Sequence, residues 1–252
     1  MIDQPHLEAV QAQFAHRAEE YDHSARWITD PALLAAHVAL AGPPSGRALD
    51  LCCGTGQVGR SLQAAGWEVV GLDLTPEMLA HAARHFETIP GDAHALPFPE
   101  ASFSLVVVRQ ALFLLDPPTV LDQIHRVLAP GGHFVLGHTV PFGEEDEVWL
   151  RAIHLRKQAQ FRHFLGRADL LRLLGEHGFR VTGEKTLSVR ESLTAWMARA
   201  TELSNATREE VLELVRRAPR TYRQRRRVEE VQGELCEDWC WVVLRGLREE
   251  LE

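Results

Sequence analysis

Apolar positions along the first 140 residues alternate between short continuous runs and stretches with helical spacing. RALDLCC (47–53) reads as a short buried strand, followed by a helix from about Gly56 to Ala65. WEVVGLDL (67–74) predicts a second strand and TPEMLAHAARHF (75–86) a second helix. Thr75 sits at the expected N-cap there, with Pro76 at the first helical position and Glu77 in the first turn. FETIPGDA (86–93) holds a short third strand. SFSLVVVRQ (102–110) is rich in β-branched residues and apolar on both faces, as a strand covered on each side must be. PPTVLDQIHRVLAPGG (117–132) opens as a helix on its prolines and closes on Pro130-Gly131-Gly132, and HFVLGHTV (133–140) gives a fifth strand.

Strands and helices in alternation, joined by short connections, require a parallel sheet with right-handed crossovers. The expected fold is therefore α/β, a Rossmann-like, doubly wound and mostly parallel sheet. Further along, EDEVWLRAIHLRKQAQFRHF (145–164) and ADLLRLLGEHGF (168–179) read as helices, RVTGEKTLSV (180–189) as a strand, and 191–218 as two more helices. CWVVLRG (240–246) is a last strand, expected to pair with the one near 181–189, which makes seven with the last antiparallel. Residues 1–40 read as a helical N-terminal arm, and 41–252 as the α/β domain. The helices at 143–165 and 191–218 interrupt the sheet pattern, where they would serve as lids over a site or as plain packing layers.

Composition narrows the function. A formal net charge of −8 opposes a nucleic-acid surface, which needs clustered cations. The N-terminal stretch carries Asp3 and Glu8 and lacks the apolar segment of a secretory leader, and Arg109 interrupts the most apolar run, which is too short to span a bilayer. A cytoplasmic protein without a membrane span is the expectation. The cysteines fall in two close pairs, Cys52–Cys53 and Cys236–Cys240, which read as reduced thiols, with neither a disulfide framework nor a metal site expected.

The segment with most chemistry is ALDLCCGTGQVG (48–59). From Gly54 it matches the G-x-G-x-x-G of dinucleotide-binding loops; from Asp50 it is an acidic residue followed by a small-residue turn. In either case glycines let the backbone approach a ligand, and the helix that follows aims its positive end at the site. Asp73, closing the second strand, is placed for ribose hydroxyls and so indicates an adenosine-type ligand without choosing among them. Asp50 would repel a pyrophosphate and attract a ligand carrying a sulfonium and an amino group, unless it serves only as a turn or capping residue.

LDLCCGTGQVG, GLDLTPEML, GDAHALPFPEASFSLVVV and HRVLAPGGHFVLG occur in this order, preceded by FAHRAEEYD (14–22). Together they resemble the class I S-adenosylmethionine-dependent methyltransferases, especially the type 11 branch with its quinone-biosynthesis C-methyltransferases. The likeness is good from about Phe14 to Gly137. It implies S-adenosyl-L-methionine as cofactor, S-adenosyl-L-homocysteine as product, and a small-molecule acceptor. It further implies that Asp50, Cys52, Gly54 and Gly56 lie along the methionine moiety and that Asp73 binds the ribose. Leu74, Met78, Asp92 and Ala93 would meet the adenine, Arg109 would lie beside the methionine part, and Tyr21 would close over the site. Cys52 departs from the family, which often has Gly there. A cofactor-binding protein without transferase activity shares the same loop, and a nicotinamide oxidoreductase is the more distant alternative.

Transfer from a sulfonium mainly requires alignment, worth on the order of 7–11 kcal/mol, and a base only where the acceptor must lose a proton. Candidate bases are His138 at the end of the fifth strand, then Tyr21, His16 and His23. Trp149, Phe161, Phe164 and Trp196 are candidates for an apolar acceptor pocket or for core. Seven arginines between Arg216 and Arg227 would bind an anionic partner, or form a solvated surface balanced by Glu229, Glu230 and Glu234.

Overall fold

Helix α1 (Gln4–Arg17) opens the fold of the computed structural model, which describes residues 3–200 and 202–250. A single 3-10 turn and the short α2 (Tyr21–Ser24) follow. Ala25 is extended and ends the arm, and after a second 3-10 turn Asp30 caps α3 (Pro31–Ala41), its carboxylate accepting from the Leu33 N–H at 2.9 Å. The continuous helical pattern of residues 7–40 is thus three helices. The third lies against the sheet as one of its covering layers, with the His37 ring against Gly137.

The core then runs β1 (Arg47–Leu51), α4 (Gln57–Ala64), β2 (Glu68–Asp73), α5 (Pro76–Ala82), β3 (Glu87–Pro90), β4 (Phe103–Arg109), α6 (Pro117–Val127) and β5 (Leu128–Val140). These strands pair in parallel in the order β3-β2-β1-β4-β5. Alternate side chains of each strand enter separate cores. Ala48, Leu105, Val107 and Val135 pack beneath α3 and α4, while Leu49, Leu51, Val106, Val108 and Leu136 pack on the opposite face. Burial on both faces explains the unbroken apolar runs in the sequence.

Beyond β5 come α7 (Glu144–Lys157), α8 (Arg167–Glu176), β6 (Phe179–Ser192), α9 (Leu193–Ala198), α10 (Asn205–Arg217), α11 (Arg220–Arg225), β7 (Glu229–Val231) and β8 (Glu234–Arg248). β8 enters between β5 and β6 and is antiparallel to both, giving the path β3-β2-β1-β4-β5-β8-β6. The seven-strand expectation holds along this path, and β7 adds a three-residue strand paired to β8. The β6–β8 ribbon is longer than the sequence pattern indicated, with Ser192 still opposite Cys236. Its extension projects past the sheet and supports α9.

Two expected boundaries shift. The helix read over 143–165 ends at Lys157, because the N–H groups of Arg162 and His163 both bond to the Phe113 carbonyl at 2.9 and 3.1 Å and draw that segment onto the loop after β4. Thr75 stands at the N-cap of α5, but its side chain makes no capping bond; its N–H donates to Asp73 instead.

The arginine-rich segment is mostly an exposed face with internal ion pairs, apart from one buried member. Arg226 is fully buried, with Nε and Nη2 each 3.2 Å from a Glu237 oxygen, and Tyr222 and Trp239 donate to the same carboxylate at 3.0 Å. Arg225 pairs with Asp146 and Glu145, Arg216 with Glu213 and Glu230, and Arg227 with Asp238. Of these arginines Arg226 alone is buried, while Arg217, Arg220, Arg223, Arg225 and Arg227 are exposed. All four cysteines are free thiols. Among the described residues no helix is long and apolar enough to cross a membrane.

Candidate functional site

The sheet's strand order reverses between β1 and β4, and ligands of open α/β sheets bind beyond the carboxyl ends of the strands at that point. A cleft of about 720 Å³, open mouth included, lies there. Cys52 and Gly54 contribute to it after β1, Asp73 to Thr75 after β2, Gly91 to Ala93 after β3, and Arg109 to Ala111 after β4. Tyr21 closes the remaining side together with Leu7, Val10 and Phe14 of α1.

Asp73 ends β2, and its carboxylate accepts from the Gly54 N–H and the Thr75 N–H, each at 2.9 Å. Burial raises its proton affinity and these two bonds temper the rise. The carboxylate borders the cleft beside Leu74 and Thr75. Asp92 is fixed differently. His94 donates from its backbone N–H at 3.0 Å and from Nδ1 at 2.6 Å to the same oxygen, while His94 Nε2 accepts from the Asp116 N–H. Half-burial raises the Asp92 carboxyl, but the bonds from His94 outweigh it and hold the group below its ordinary value. Asp92 is therefore an ionised acceptor, aimed by a histidine whose tautomer both bonds dictate.

Nine of the eleven residues expected along a cofactor line this cleft: Tyr21, Cys52, Gly54, Asp73, Leu74, Met78, Asp92, Ala93 and Arg109. Asp50 and Gly56 do not. The Asp50 carboxylate turns under α4 and accepts from the Gly59 N–H at 2.7 Å; burial pushes its pKa up to about 7. One of its oxygens thus satisfies a first-turn donor of that helix, the capping role the sequence also allowed. Gly56 has a left-handed φ of 86°, and a Cβ there would lie 2.8 Å from the Phe86 ring, so glycine is needed for close packing against α5 and its neighbouring residues.

His138 also stands apart. It lines a neighbouring cavity with His154, Phe161, Phe164 and Trp239, its Nδ1 donates to the Thr139 carbonyl at 2.6 Å, and burial lowers its pKa to about 4. Tyr21 is at the cleft, but burial lifts its hydroxyl to about 12, which makes it a donor at neutral pH. His16 and His23 are exposed on the arm. Trp196 lines a third cavity that includes Phe14, Tyr21 and Gln110 of the cleft, whereas Trp149 packs on Tyr222.

A family described as "Methyltransferase domain" matches residues 49–136. The chain is 33% identical over 171 residues to the demethylmenaquinone methyltransferase of Geobacillus kaustophilus, an alignment covering 53% of this chain and 70% of that protein. The chain belongs to the class I S-adenosylmethionine-dependent methyltransferases. It is also 33% identical over 184 residues to a malonyl-[acyl-carrier protein] O-methyltransferase of Halorhodospira halophila, covering 68% of this chain and 61% of that one. A solved Bacillus halodurans C-125 structure, provisionally described as a methyltransferase, superposes with a TM-score of 0.77 at 21% identity over 86% of this chain and 99% of that one. The chain spans about half the length of most of the curated relatives it matches.

Within this methyltransferase fold the structure adds residues that carried no assigned role in the sequence. Asp22 accepts from Thr55 Oγ1 and from Gln57 Nε2 at 2.6 Å, so the arm is tied to the glycine loop directly beside Tyr21. The final Asp of the F-x-x-x-A-x-x-Y-D stretch was the available signal. Gln110, at a left-handed φ of 53°, bonds Thr139 through both ends of its amide at 2.7 Å and stands where all three cavities meet. Its position depends on the β4–β5 pairing, which local sequence does not reveal.

Proposed function

We propose that this chain binds S-adenosylmethionine in the cleft at the strand-order reversal and transfers its methyl group to a small-molecule acceptor. The observation that carries this is that Asp73, at the end of β2, and an ionised Asp92, just past β3, line the same cleft. The two carboxylates border one cleft of ligand size. Asp73 fits two adjacent ribose hydroxyls, and Asp92 fits the exocyclic amine of an adenine lying against Leu74, Met78 and Ala93. A dinucleotide would bring a pyrophosphate to this loop. Asp50 no longer argues against that, and family membership does so instead.

When bound, S-adenosylmethionine supplies an electrophilic methyl on a sulfonium, displaced in line by the acceptor's nucleophile. The chain's own part is alignment and exclusion of water. Arg109 is held by the Ile28 carbonyl at 3.0 Å and by the Trp27 ring, so it is a rigid cation at the cleft wall. Tyr21, anchored through its neighbour Asp22, covers the loop at Gly54 and donates its hydroxyl. His138, with its pKa lowered to about 4 by burial, is a weak base for proton removal. The arm and α7, α9 and α10 serve as the closing elements, with the acceptor entering on their side.

Calorimetric titration with S-adenosylhomocysteine, with NADH as control, tests this reading. Micromolar affinity for the nucleoside is expected, weakened at least tenfold in Asp73→Ala, with no heat from NADH. Preference for NADH would overturn it.

A further inference from the structure

Next to the cofactor cleft, past Phe14, Tyr21 and Gln110, lies the third cavity, of about 660 Å³ including its mouth. Its far wall is aromatic. Trp196 and Trp239 meet edge to face at 4.9 Å, and the His154 ring stands edge-on to both. Lys157, the last residue of α7, enters this wall with its Nζ 4.4 Å from the centre of the Trp196 ring. It is one of only two lysines in a chain of 27 basic residues, and it is 6% exposed.

Buried cations are ordinarily paired. The other cations bordering the cavity follow that rule: Arg17 pairs with Glu202, and Arg199 lies 3.9 Å from Glu20. Among the described residues no carboxylate lies within 4 Å of Lys157. The titratable groups around it, Arg17, Tyr21, His154 and Arg199, offer no compensating negative charge. Burial drives the lysine's proton affinity well down. One ring face returns roughly 0.5–2 kcal/mol, less than the several kcal/mol lost on taking an ammonium out of water. An anion from outside the chain would supply the partner that keeps the ammonium charged, and the Trp196 and Trp239 rings of the same cavity wall favour a flat one.

We propose that this cavity is the acceptor site and that Lys157 is the counter-charge for an aromatic carboxylic acid held against Trp196 and Trp239. The acceptor is then a planar acid whose carboxylate points to the end of α7 and whose opposite edge faces Gln110 and the cofactor cleft. This assignment rests on reading that cleft as the cofactor site.

The test uses the full chain saturated with S-adenosylhomocysteine, whose own binding is measured first. 2-Naphthoate and its neutral isostere 2-naphthamide are titrated against wild type and Lys157→Met, by calorimetry and by quenching of tryptophan fluorescence. The acid should bind at least tenfold tighter than the amide in wild type. In Lys157→Met the preference should fall to about onefold, with the affinity for the nucleoside unchanged within threefold. Should Lys157→Met lack a cooperative melting transition, Lys157→Arg replaces it and should keep the preference for the acid. Equal affinities in wild type, binding of neither probe, or a preference that survives Lys157→Met would each overturn the proposal. Failure of S-adenosylhomocysteine to bind would instead defeat the cofactor reading, and the acid-to-amide ratio without it would still decide the role of Lys157.

Discussion

Individual side chains divide into those that face ligands and those that hold the loops in place, and two variants separate these roles. Asp22 touches no part of the cleft wall, yet its carboxylate binds Thr55 and Gln57 of the glycine loop. Bonds to a charged group are worth about 1.5–3 kcal/mol each. Asp22→Ala should therefore weaken S-adenosylhomocysteine binding by about tenfold or more in calorimetry and also lower the melting temperature by several degrees. His138 is expected to affect stability in a pH-dependent way. Its folded pKa, about 4, lies below the ordinary 6.5, so the stability of the neutral ring is present above pH 6.5 and is lost as pH falls through 4. His138→Asn keeps a donor for the Thr139 carbonyl and removes the titration. Denaturant unfolding should then show a smaller loss between pH 6.5 and 4, by up to about 3 kcal/mol. Asp50 works in the opposite sense: its carboxyl, raised to about 7, favours the fold when protonated, and that contribution is lost as pH rises from 3.8 through 7.

Elements are where sequence and structure agree most and where their differences are instructive. The five parallel strands were legible because burial on both faces leaves unbroken apolar runs, as in Ala48 to Leu51 and Leu105 to Val108. The left-handed Gly54 and Gly56 were legible as glycines. What each faces was not, because that depends on α5 and Phe86, distant in sequence. Asp50 shows the same limit: a carboxylate at a strand end can face a ligand or a helix start, and only the path of α4 decides. Leu7, Val10 and Phe14 were missed at the cleft because α1 has a weakly segregated apolar face and looks like an ordinary surface helix. These residues give α1 a measurable property. Its inner side rests on the cleft and its outer side on water, so hydrogen exchange of residues 4–24 should slow on addition of S-adenosylhomocysteine, while the β6–β8 ribbon at the other end of the sheet stays unchanged. Equal protection with and without the nucleoside would show that the arm takes no part in closure.

At the scale of the whole molecule, one continuous sheet carries both cavities. Its parallel half presents Asp73 and Asp92, and its antiparallel end, through the long β6–β8 ribbon, presents Trp239 beside α7 and α9. Gln110 stands at the junction. This division explains why the cleft at the parallel strands could be read from local motifs while the cavity beside it could not: the latter is assembled from segments far apart in sequence, such as Phe14, Lys157, Trp196 and Trp239. The central claim is that the parallel half holds an adenosyl ligand in a single orientation, and a crystal structure grown with S-adenosylhomocysteine tests it most directly. The ribose hydroxyls should lie within hydrogen-bond distance of Asp73, the adenine amine at Asp92, and the homocysteine tail between Gly54 and Arg109, with its sulfur toward Gln110. Nucleoside density outside this cleft, or ribose oxygens that do not meet Asp73, would contradict the account.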